Sequence, residues 1–443
     1  MDRDIDIDMD KKQAIITLMA NFIGLPIYEN GTKMTTYERT HPWISFKTDM
    51  RQAPAALWIA LGEARSKCQH LAGIPLKPSV AEMLHLVYLA RGALATTAIE
   101  GNTLSEKDAI AIVRKKSDLP KSQAYLKKEI ENILEASNAM LTEIEKHGMS
   151  PITVADIKRY NAIVLKGLEI EPYVVPGECV KTDIAVAGYH GAPWQECEEL
   201  LVKLCDWLNS ETFKAQDEDS ITAGILKAAI AHLYLVWIHP FGDGNGRTAR
   251  LLEVRFLTEA GVPSAAGHLL SNFYNKTRTE YYKKLGDASK SGGNIMAFLT
   301  YAVNGFVDEL REQLKIVKNQ QWHVSWQNFV YEKFDGRNSV SDKRQLKLAL
   351  ALTTRGGSVP KAELRHLTPE LAEAYAGKTD KTLTRDLNEL VAMELVEKSA
   401  EGYRAMKEII LAFLPRGRKG NVEAQLREAA FFLDEGGQLA FAV

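Results

Sequence analysis

Cysteine is scarce in this chain, with 4 residues among 443, and none of them stands in a CxxC pair. This usage argues against a structural zinc site and a disulfide framework, and it favours a reducing, cytoplasmic setting. Long apolar runs are missing too, because the longest, at 228–238, is too short to cross a membrane and contains His232. The sequence starts with acidic residues where a secretory signal needs basic ones, so we expect no such signal.

The chain also has little net charge, −2 at pH 7, which favours neither an acidic nor a basic partner for the whole protein. Its length predicts two or three domains, and a hydrophobic content of 46% is enough to give each a core. Apolar residues recur three and four apart from about residue 56 to 316, which predicts a mainly α fold. The stretch at about 173–193 is rich in Val, Gly and Pro and has the spacing of an extended hairpin.

These patterns divide the chain into five parts. We predict an N-terminal segment at 1–55, a helical domain at 56–316, a linker at 317–340, a small α+β domain at 341–415 and a tail at 416–443.

The small domain resembles a winged helix. Its pattern predicts helices at 343–353, 361–366 and 379–393, followed by strands at 395–398 and 402–404. Lys378, Lys381 and Arg385 lie at or near the start of the third predicted helix, where DNA phosphates or bases would be met. Winged helices also dock proteins or form dimers, so DNA binding and a homodimer both stay open.

The segment from His239 to Arg250, HPFGDGNGRTAR, concentrates reactive side chains between two apolar helical patterns. Glycines at 242, 244 and 246 free the backbone to turn and to present N–H groups to an anion. The next helix begins near Gly246, so its positive end points toward the same anion. The segment therefore predicts a phosphate-binding loop, and the absence of Lys-Ser/Thr after the glycines excludes a Walker A loop.

The other side chains of the segment fit phosphoryl chemistry. His239 can act as a general base at physiological pH. Asp243 beside an anion is best explained by a shared Mg²⁺, and Asn245 can donate to a phosphoryl group. Arg247 and Arg250 share a helix face and can clamp phosphate oxygens. A glycine-rich loop alone is most often only a loop, but this combination favours an enzyme that handles a phosphorylated ligand.

HPFGDGNGRTAR resembles the Fic family signature HPFx[D/E]GNGRxxR at every fixed position, and the similarity extends over roughly residues 40–310. The resemblance implies a Fic-fold helical bundle with a β-hairpin flap, which is the stretch at about 173–193. It also implies protein AMPylation, in which AMP moves from ATP to a Ser, Thr or Tyr hydroxyl of a target protein or of the enzyme itself. The implied cofactors are ATP and Mg²⁺, with His239 as the base and Asp243 as the metal ligand. The family's phosphoryl-transferring toxins carry a degenerate motif with a Lys, which this chain lacks.

The resemblance also implies which residues bind nucleotide and target. The flap residues Lys181, Thr182, Asp183 and Ile184 would dock a target segment by strand addition, although a plain surface hairpin is the alternative. Ser289 stands where relatives often carry Asn, seven residues after Tyr282. The implied nucleotide-binding residues are Gly244, Asn245, Gly246, Arg247, Arg250, Tyr281 and Tyr282.

A built-in inhibitor is a further implication. The sequence TTAIEG at 96–101 is similar to the family's inhibitory pattern [S/T]xxxE[G/N] and ends a predicted helix at about 85–101. Glu100 would pair with Arg250 and take the place of the γ-phosphate. Hundredfold inhibition needs only ~2.7 kcal/mol, which a partly desolvated Arg–carboxylate pair can supply.

Two rival functions remain beside the adenylyltransferase. One is a DNA-binding regulator whose nucleotide pocket only senses ATP. The other keeps the same fold but uses another donor, such as UTP or a CDP-linked group.

Overall fold

A computed structural model describes residues 35–186, 188–214, 219–355 and 357–410, with the backbone pairing of 28–29 and 32–33. The predicted tail at 416–443 and the last residues of the predicted winged helix, 411–415, lie outside the described residues, as does most of 1–34. Contacts between residues divide the chain into two units. The first comprises the residues up to Gly73 and Glu82–Leu310, and the second comprises Ile74–Ala81 and the residues from Arg311 onward.

Helices dominate both units, so the predicted mainly α class is confirmed. In chain order they are α1 Thr36–Thr40, α2 Ala55–Ala72, α3 Pro78–Ala98, α4 Glu106–Val113, α5 Ala124–His147, α6 Val154–Val164, α7 Cys197–Leu208, α8 Ser220–Ile238, α9 Asn245–Glu259, α10 Leu269–Lys276, α11 Arg278–Lys290, α12 Met296–Lys333, α13 Val340–Thr353, α14 Pro369–Tyr375 and α15 Asp380–Ala392.

The strands of the described residues form antiparallel pairs. They are β1 Tyr28–Glu29 with β2 Thr32–Lys33, β3 Ala185–Val186 with β4 Tyr189–His190, and β5 Val396–Ser399 with β6 Gly402–Ala405.

Helix α8 forms the centre of the first unit. Its own residues are apolar on nearly every face, and such a helix needs neighbours on every side. It packs against α2, α7 and, most extensively, α9. Its length and composition would also suffice for a membrane span, but most of it is buried within the unit, as in the core helix of a globular domain.

Capping residues determine where α4 and α6 begin. The Ser105 side chain accepts a hydrogen bond from the Asp108 N–H, and the Asp108 carboxylate accepts one from the Ser105 N–H, at 3.2 and 3.0 Å. Thr153 and Asp156 do the same at the start of α6. These reciprocal caps satisfy N–H groups that a helix start leaves unpaired. They fix where α4 and α6 begin, on either side of α5.

The predicted extended hairpin is much shorter in the structure. Only Ala185 with His190 and Val186 with Tyr189 pair as strands, and most of 173–184 consists of turns and irregular backbone. Pro176 and Gly177, which has a φ of 80°, interrupt the stretch, because a proline cannot donate to a strand ladder.

The prediction of a linker at 317–340 is wrong for most of its length, because α12 continues unbroken to Lys333. No glycine or proline occurs from 306 to 335 to stop the helix. Trp326 and Val330 are fully buried in the core of the second unit. The stretch is therefore part of a folded unit.

The second unit has the order of helices and strands predicted for a winged helix and is consistent with one. The predicted helix at 361–366 is wrong, since the middle helix is α14 and only a 3₁₀ turn, Leu364–His366, precedes it. Thr368 caps α14 by accepting a hydrogen bond from the Leu371 N–H, and Pro369 occupies its first turn. That Thr-Pro pair is the signal in the sequence for the start of α14.

Candidate active site

His239 ends α8 in a left-handed conformation, with φ 52° and ψ 53°. Residues other than glycine rarely adopt this conformation, so the surroundings must hold it in place. Its backbone N–H still donates to the Leu235 carbonyl at 2.9 Å. The ring Nδ1 lies 3.3 Å from the Val236 carbonyl oxygen, which can only accept a hydrogen bond. Nδ1 therefore carries the proton of the neutral ring, and Nε2 keeps the lone pair that a general base needs.

The flap holds the backbone on both sides of His239. The Ala192 N–H donates to the Ile238 carbonyl at 3.1 Å, and the Val180 N–H donates to the Pro240 carbonyl at 2.8 Å. A side chain at position 191 would place its Cβ only 2.9 Å from the His239 Cβ. Glycine is therefore required at 191 for the flap to approach His239 this closely.

His239 is half-buried, and burial lowers the pKa of its imidazole below the ordinary value. The hydrogen bond to Val236 and the negative charges of Glu100 and Asp243 act in the opposite direction but do not cancel the effect of burial. The ring is therefore neutral at physiological pH, the form that can accept a proton.

Hydrogen bonds within the loop after His239 stabilise its conformation. The Asn245 side chain accepts a hydrogen bond from the Phe241 N–H at 3.0 Å and donates to the Phe241 carbonyl at 2.7 Å. Gly244 takes a φ of 77° and lets α9 begin at the next residue. Oδ1 and one N–H of the Asn245 amide are thus bonded to the loop backbone, and its predicted contact with a phosphoryl group, through the second N–H of Nδ2, stays a prediction.

Sequence reasoning missed Asn161, a fully buried residue of α6. Its Nδ2 donates to the Asp243 carbonyl, and its Oδ1 accepts the Gly177 N–H, both at 2.9 Å. One side chain therefore ties the base of the flap to the loop. No local pattern could have indicated it, since its partner in the loop lies 82 positions away in the sequence.

Arg250 is almost completely buried, and the segment at 96–101 surrounds it. Its Nε donates to the Thr96 hydroxyl at 2.7 Å and its Nη2 to the Thr96 carbonyl at 2.9 Å. Nη2 also donates to Glu100 Oε1 at 2.5 Å. The side-chain exposure is 1% for Arg250 and 32% for Glu100. The expected contact between Glu100 and Arg250 is therefore present, and Thr96 explains the hydroxyl residue of the pattern.

The Glu100 carboxylate lies at the start of α9. A Cβ added at Gly246 would come within 2.4 Å of Glu100 Oε1, so a side chain there would displace this carboxylate. An anion at a helix N-terminus is stabilised by the free N–H groups and the helix dipole. Burial by itself would raise the pKa of Glu100, but Arg250, with smaller contributions from Arg247 and Arg278, outweighs it and lowers the pKa. Glu100 thus occupies the place where the sequence predicts a phosphate.

Arg247 is shared between two carboxylates. Its Nη1 donates to Glu129 Oε1 and its Nη2 to Asp243 Oδ1, both at 2.8 Å. Glu129, on α5, was missed by sequence reasoning and lies 118 positions from Arg247. Burial raises the pKa of Glu129 above its ordinary value, against the opposing charge of Arg247 and a hydrogen bond from Asn102. Two of the five N–H donors of Arg247 thus bond to carboxylates, and its predicted contact with a phosphate stays a prediction.

Asp243 is the residue that fits the predicted Mg²⁺. Its side chain is 42% exposed, and Oδ1 also accepts the Gly244 N–H at 2.5 Å. Mg²⁺ beside a nucleotide is usually held by one or two carboxylates together with phosphate oxygens and water, so one exposed carboxylate is an adequate donor set. Among the described residues, no group of three or more His, Cys, Asp or Glu side chains forms an all-protein metal site.

The two tyrosines predicted near adenosine differ in position. Tyr281 is 1% exposed, and its hydroxyl lies 2.8 Å from Nε2 of the buried His232. Its assignment to nucleotide binding is therefore corrected, because it belongs to the core. Tyr282 is 45% exposed and donates to the Ile99 carbonyl at 3.3 Å, next to Glu100. Ser289 is buried, and its hydroxyl donates to the Gly286 carbonyl at 3.0 Å.

The predicted docking residues precede the paired strands of the flap. Lys181, Thr182 and Asp183 are exposed and Ile184 is half-buried. Asp183 accepts a hydrogen bond from the Trp194 N–H at 3.3 Å, and the Ile184 carbonyl accepts the Gly191 N–H at 3.0 Å. The stretch therefore lies directly beside the glycine that contacts His239.

In the second unit, Lys378, Lys381 and Arg385 are exposed at and before the start of α15. Arg344 and Tyr375 pair with the fully buried Asp386 on the inner face of α15, at 2.6 and 2.9 Å. The outer face of the helix is thus free of core contacts, and its role in DNA binding stays a prediction.

Comparison with known proteins places this geometry in context. Residues 151–257 match the sequence profile of the Fic/DOC family. The chain is 31% identical over 232 residues to "Protein adenylyltransferase fic-1" of Caenorhabditis briggsae, covering 52% of this chain and 42% of that protein. It is 31% identical over 206 residues to the protein of the same name from Caenorhabditis elegans, covering 46% and 37%. The chain thus spans less than half the length of these curated relatives.

The fold itself has a solved counterpart. The crystal structure of a Fic family protein from Desulfovibrio desulfuricans G20 superposes with a TM-score of 0.51 at 18% sequence identity, covering 81% of this chain and 98% of that chain. The similarity confirms the Fic fold that the signature implied.

Proposed function

We propose that the chain, whose residues 151–257 match the Fic/DOC family profile, is a protein adenylyltransferase of that family. It transfers AMP from ATP to a Ser, Thr or Tyr hydroxyl of a protein. The relatives named as protein adenylyltransferases support this activity, and so does the intact HPFGDGNGRTAR segment.

The observation that carries the proposal is the position of His239 beside the start of α9. Its Nε2 takes the proton of the acceptor hydroxyl as that oxygen forms a bond to the α-phosphorus of ATP. The bond from the α-phosphorus to the bridging oxygen breaks, and pyrophosphate leaves with the electron pair. The N-terminal N–H groups of α9 and the guanidinium of Arg250 stabilise the charge on the phosphates. Asp243 would hold Mg²⁺, which neutralises phosphate charge when it is bound.

The contacts of Arg250 correspond to a restrained form of such an enzyme. Glu100 takes both the guanidinium and the helix start that the terminal phosphates of ATP need. ATP can bind productively only after this carboxylate leaves. Glu100 is therefore an inhibitory residue under the proposed function.

The exposed stretch at 181–183 is the proposed docking surface for the target. It follows Val180, whose N–H is bonded to the Pro240 carbonyl next to His239. A target segment added as a strand along this stretch brings its hydroxyl toward Nε2.

The test uses Mg²⁺ and ATP labelled at either the α- or the γ-phosphate, with the Glu100→Gly variant. Transfer of the α-label to protein, lost in the Glu100→Gly, His239→Ala double variant, supports adenylyl transfer. Transfer of the γ-label alone indicates a kinase and refutes the proposal. Labelled UTP and a CDP-linked donor, run in parallel, test the choice of donor.

The exposed Lys378, Lys381 and Arg385 support a second candidate, a DNA-binding regulator that senses ATP. It predicts no transfer of label from any donor, together with sequence-specific retardation of DNA. Changing all three residues to Ala abolishes that retardation and leaves a transferase unaffected.

A further inference from the structure

A chain of buried polar contacts joins the segment after Glu100 to Asp243, the predicted ligand of Mg²⁺. Asn102 Nδ2 donates to Glu129 Oε2 at 3.0 Å and to the Leu126 carbonyl at 2.8 Å. Glu129 Oε1 accepts from Arg247, whose other Nη donates to Asp243. The side chains of Arg247 and Glu129 are only 5% and 6% exposed. This arrangement is therefore part of the protein interior and is not an ion pair of the solvated surface.

Burial raises the pKa of Glu129, but the hydrogen-bond geometry is that of its ionised form. Each of its oxygens accepts from an N–H donor, Arg247 at one and Asn102 at the other. Two donors facing the two oxygens are the arrangement of an ionised carboxylate. Glu129, Arg247 and Asp243 thus carry two negative charges and one positive charge.

The net negative charge matters for a divalent cation. If Asp243 alone faced Arg247, the pair would be neutral and the guanidinium would repel Mg²⁺ at short range. Glu129 draws one end of the guanidinium away, so Asp243 shares Arg247 instead of being neutralised by it. The second oxygen of Asp243 remains on the exposed side of the group, since the side chain is 42% exposed and Oδ1 makes the internal bonds.

We propose that Glu129 is a positioning residue that keeps Arg247 shared between two carboxylates, so that Asp243 retains the charge needed to take up Mg²⁺ with the nucleotide. The inference rests on the proposed function, which supplies the need for Mg²⁺ at this place. It also changes the role predicted for Arg247, from a direct phosphate ligand to the residue that orients the metal carboxylate.

The test measures metal uptake directly. Free Mn²⁺ is quantified by electron paramagnetic resonance in the presence of an ATP analogue with a methylene group between the α- and β-phosphorus. The parent is the full chain with Glu100→Gly. The variant Glu129→Gln removes one charge, and the matched control Glu135→Gln removes the same charge from the surface of the same helix, where Glu135 pairs with Lys166 at 2.6 Å.

We expect Glu129→Gln to raise the Mn²⁺ dissociation constant by about tenfold or more, with Glu135→Gln within about twofold of the parent. Adding Arg247→Met to Glu129→Gln removes the uncompensated positive charge and should restore the dissociation constant to within about threefold of the parent. A merely structural role for Glu129 predicts no such recovery.

An unchanged dissociation constant in folded Glu129→Gln, or a double variant no better than the single one, overturns the proposal. If Glu129→Gln does not fold, Glu129→Asp decides. Its carboxylate is one methylene short of Arg247, so a rise of at least about threefold is expected and an unchanged value overturns the proposal.

Transfer of the α-label by the parent is scored separately. A parent that binds Mn²⁺ with the analogue but transfers nothing refutes the adenylyltransferase and leaves the charge argument standing. A parent that transfers label while Glu129→Gln binds Mn²⁺ normally refutes only the charge argument. A parent that takes up no Mn²⁺ with the analogue refutes the metal site and the inference together.

Discussion

Under the proposed function, replacing Glu100 by glycine should raise both ATP binding and AMP transfer. The change removes a carboxylate that is hydrogen-bonded to Arg250 at 2.5 Å and lies against the start of α9. Both the charge and the space it occupies then become available to the terminal phosphates of ATP. We expect a large gain in the apparent affinity for ATP and in the rate of AMP transfer.

The structure sets the size of this gain. A hydrogen bond between charged groups contributes about 1.5–3 kcal/mol, and an anion at a helix start gains about 0.3–1 kcal/mol. Because the Glu100 side chain is 32% exposed, solvent screening weakens both contributions, and their sum lies toward the lower end of what the two ranges allow. A total of about 2–3 kcal/mol corresponds to roughly 30- to 150-fold in the ATP concentration needed for half-maximal binding.

The assay has a chemical and a binding readout. Auto-AMPylation with α-labelled ATP is measured against ATP concentration, and calorimetric titration with the methylene analogue measures binding without chemistry. Glu106→Gly is the matched control, because Glu106 also pairs with an arginine, at 2.7 Å, and is 34% exposed. A gain of less than about threefold for Glu100→Gly, or an equal gain for the control, would refute the assignment of Glu100 as the inhibitor.

Three further results are expected. Gly191→Ala should lower kcat by at least about tenfold while changing Tm little, because its Cβ displaces His239; Gly62→Ala, where a Cβ meets nothing, is the control, and an unchanged kcat would contradict the argument. Since the pKa of His239 is lowered, kcat/KM should rise with pH to a plateau through a midpoint below the ordinary value of about 6.5; a midpoint above that value would show that the described burial is not that of the working enzyme. Tyr281→Phe should lower stability by about 1–3 kcal/mol, because Nε2 of the buried His232 loses its hydrogen-bond partner, and should leave ATP binding unchanged. Tyr282→Ala should weaken ATP binding, and the reverse pattern would restore Tyr281 to the nucleotide site.

The sequence was most informative where the site is contiguous. His239, Asp243 and Arg250 belong to one loop and the helix after it, so spacing and residue type alone predicted their proximity. The Glu100 contact spans 150 positions, and only the resemblance to a family pattern could connect the two residues. Glu129 and Asn161 carry no local signal, because their contacts depend on how α5 and α6 pack against the loop.

The corrections have equally local causes. Adjacent tyrosines on a helix point in different directions, and composition alone does not tell which of Tyr281 and Tyr282 faces the core. Asn245 was predicted to hold phosphate because of its donor group, and the structure adds a second role, because a short polar side chain next to a turn often bonds to the nearby backbone. The polar residues of 317–340 concealed Trp326 and Val330, whose burial shows that the helix continues.

Asn161 fixes one part of the flap to the loop after His239 and leaves another part that evolution or engineering can change. It anchors the root of the flap at Gly177 and the loop at Asp243 to one buried point, so the two cannot drift independently. The exposed residues 181–183 lie outside this anchor. Under the proposed function, new targets can therefore be acquired by exchanging those surface residues while the geometry around His239 is inherited intact.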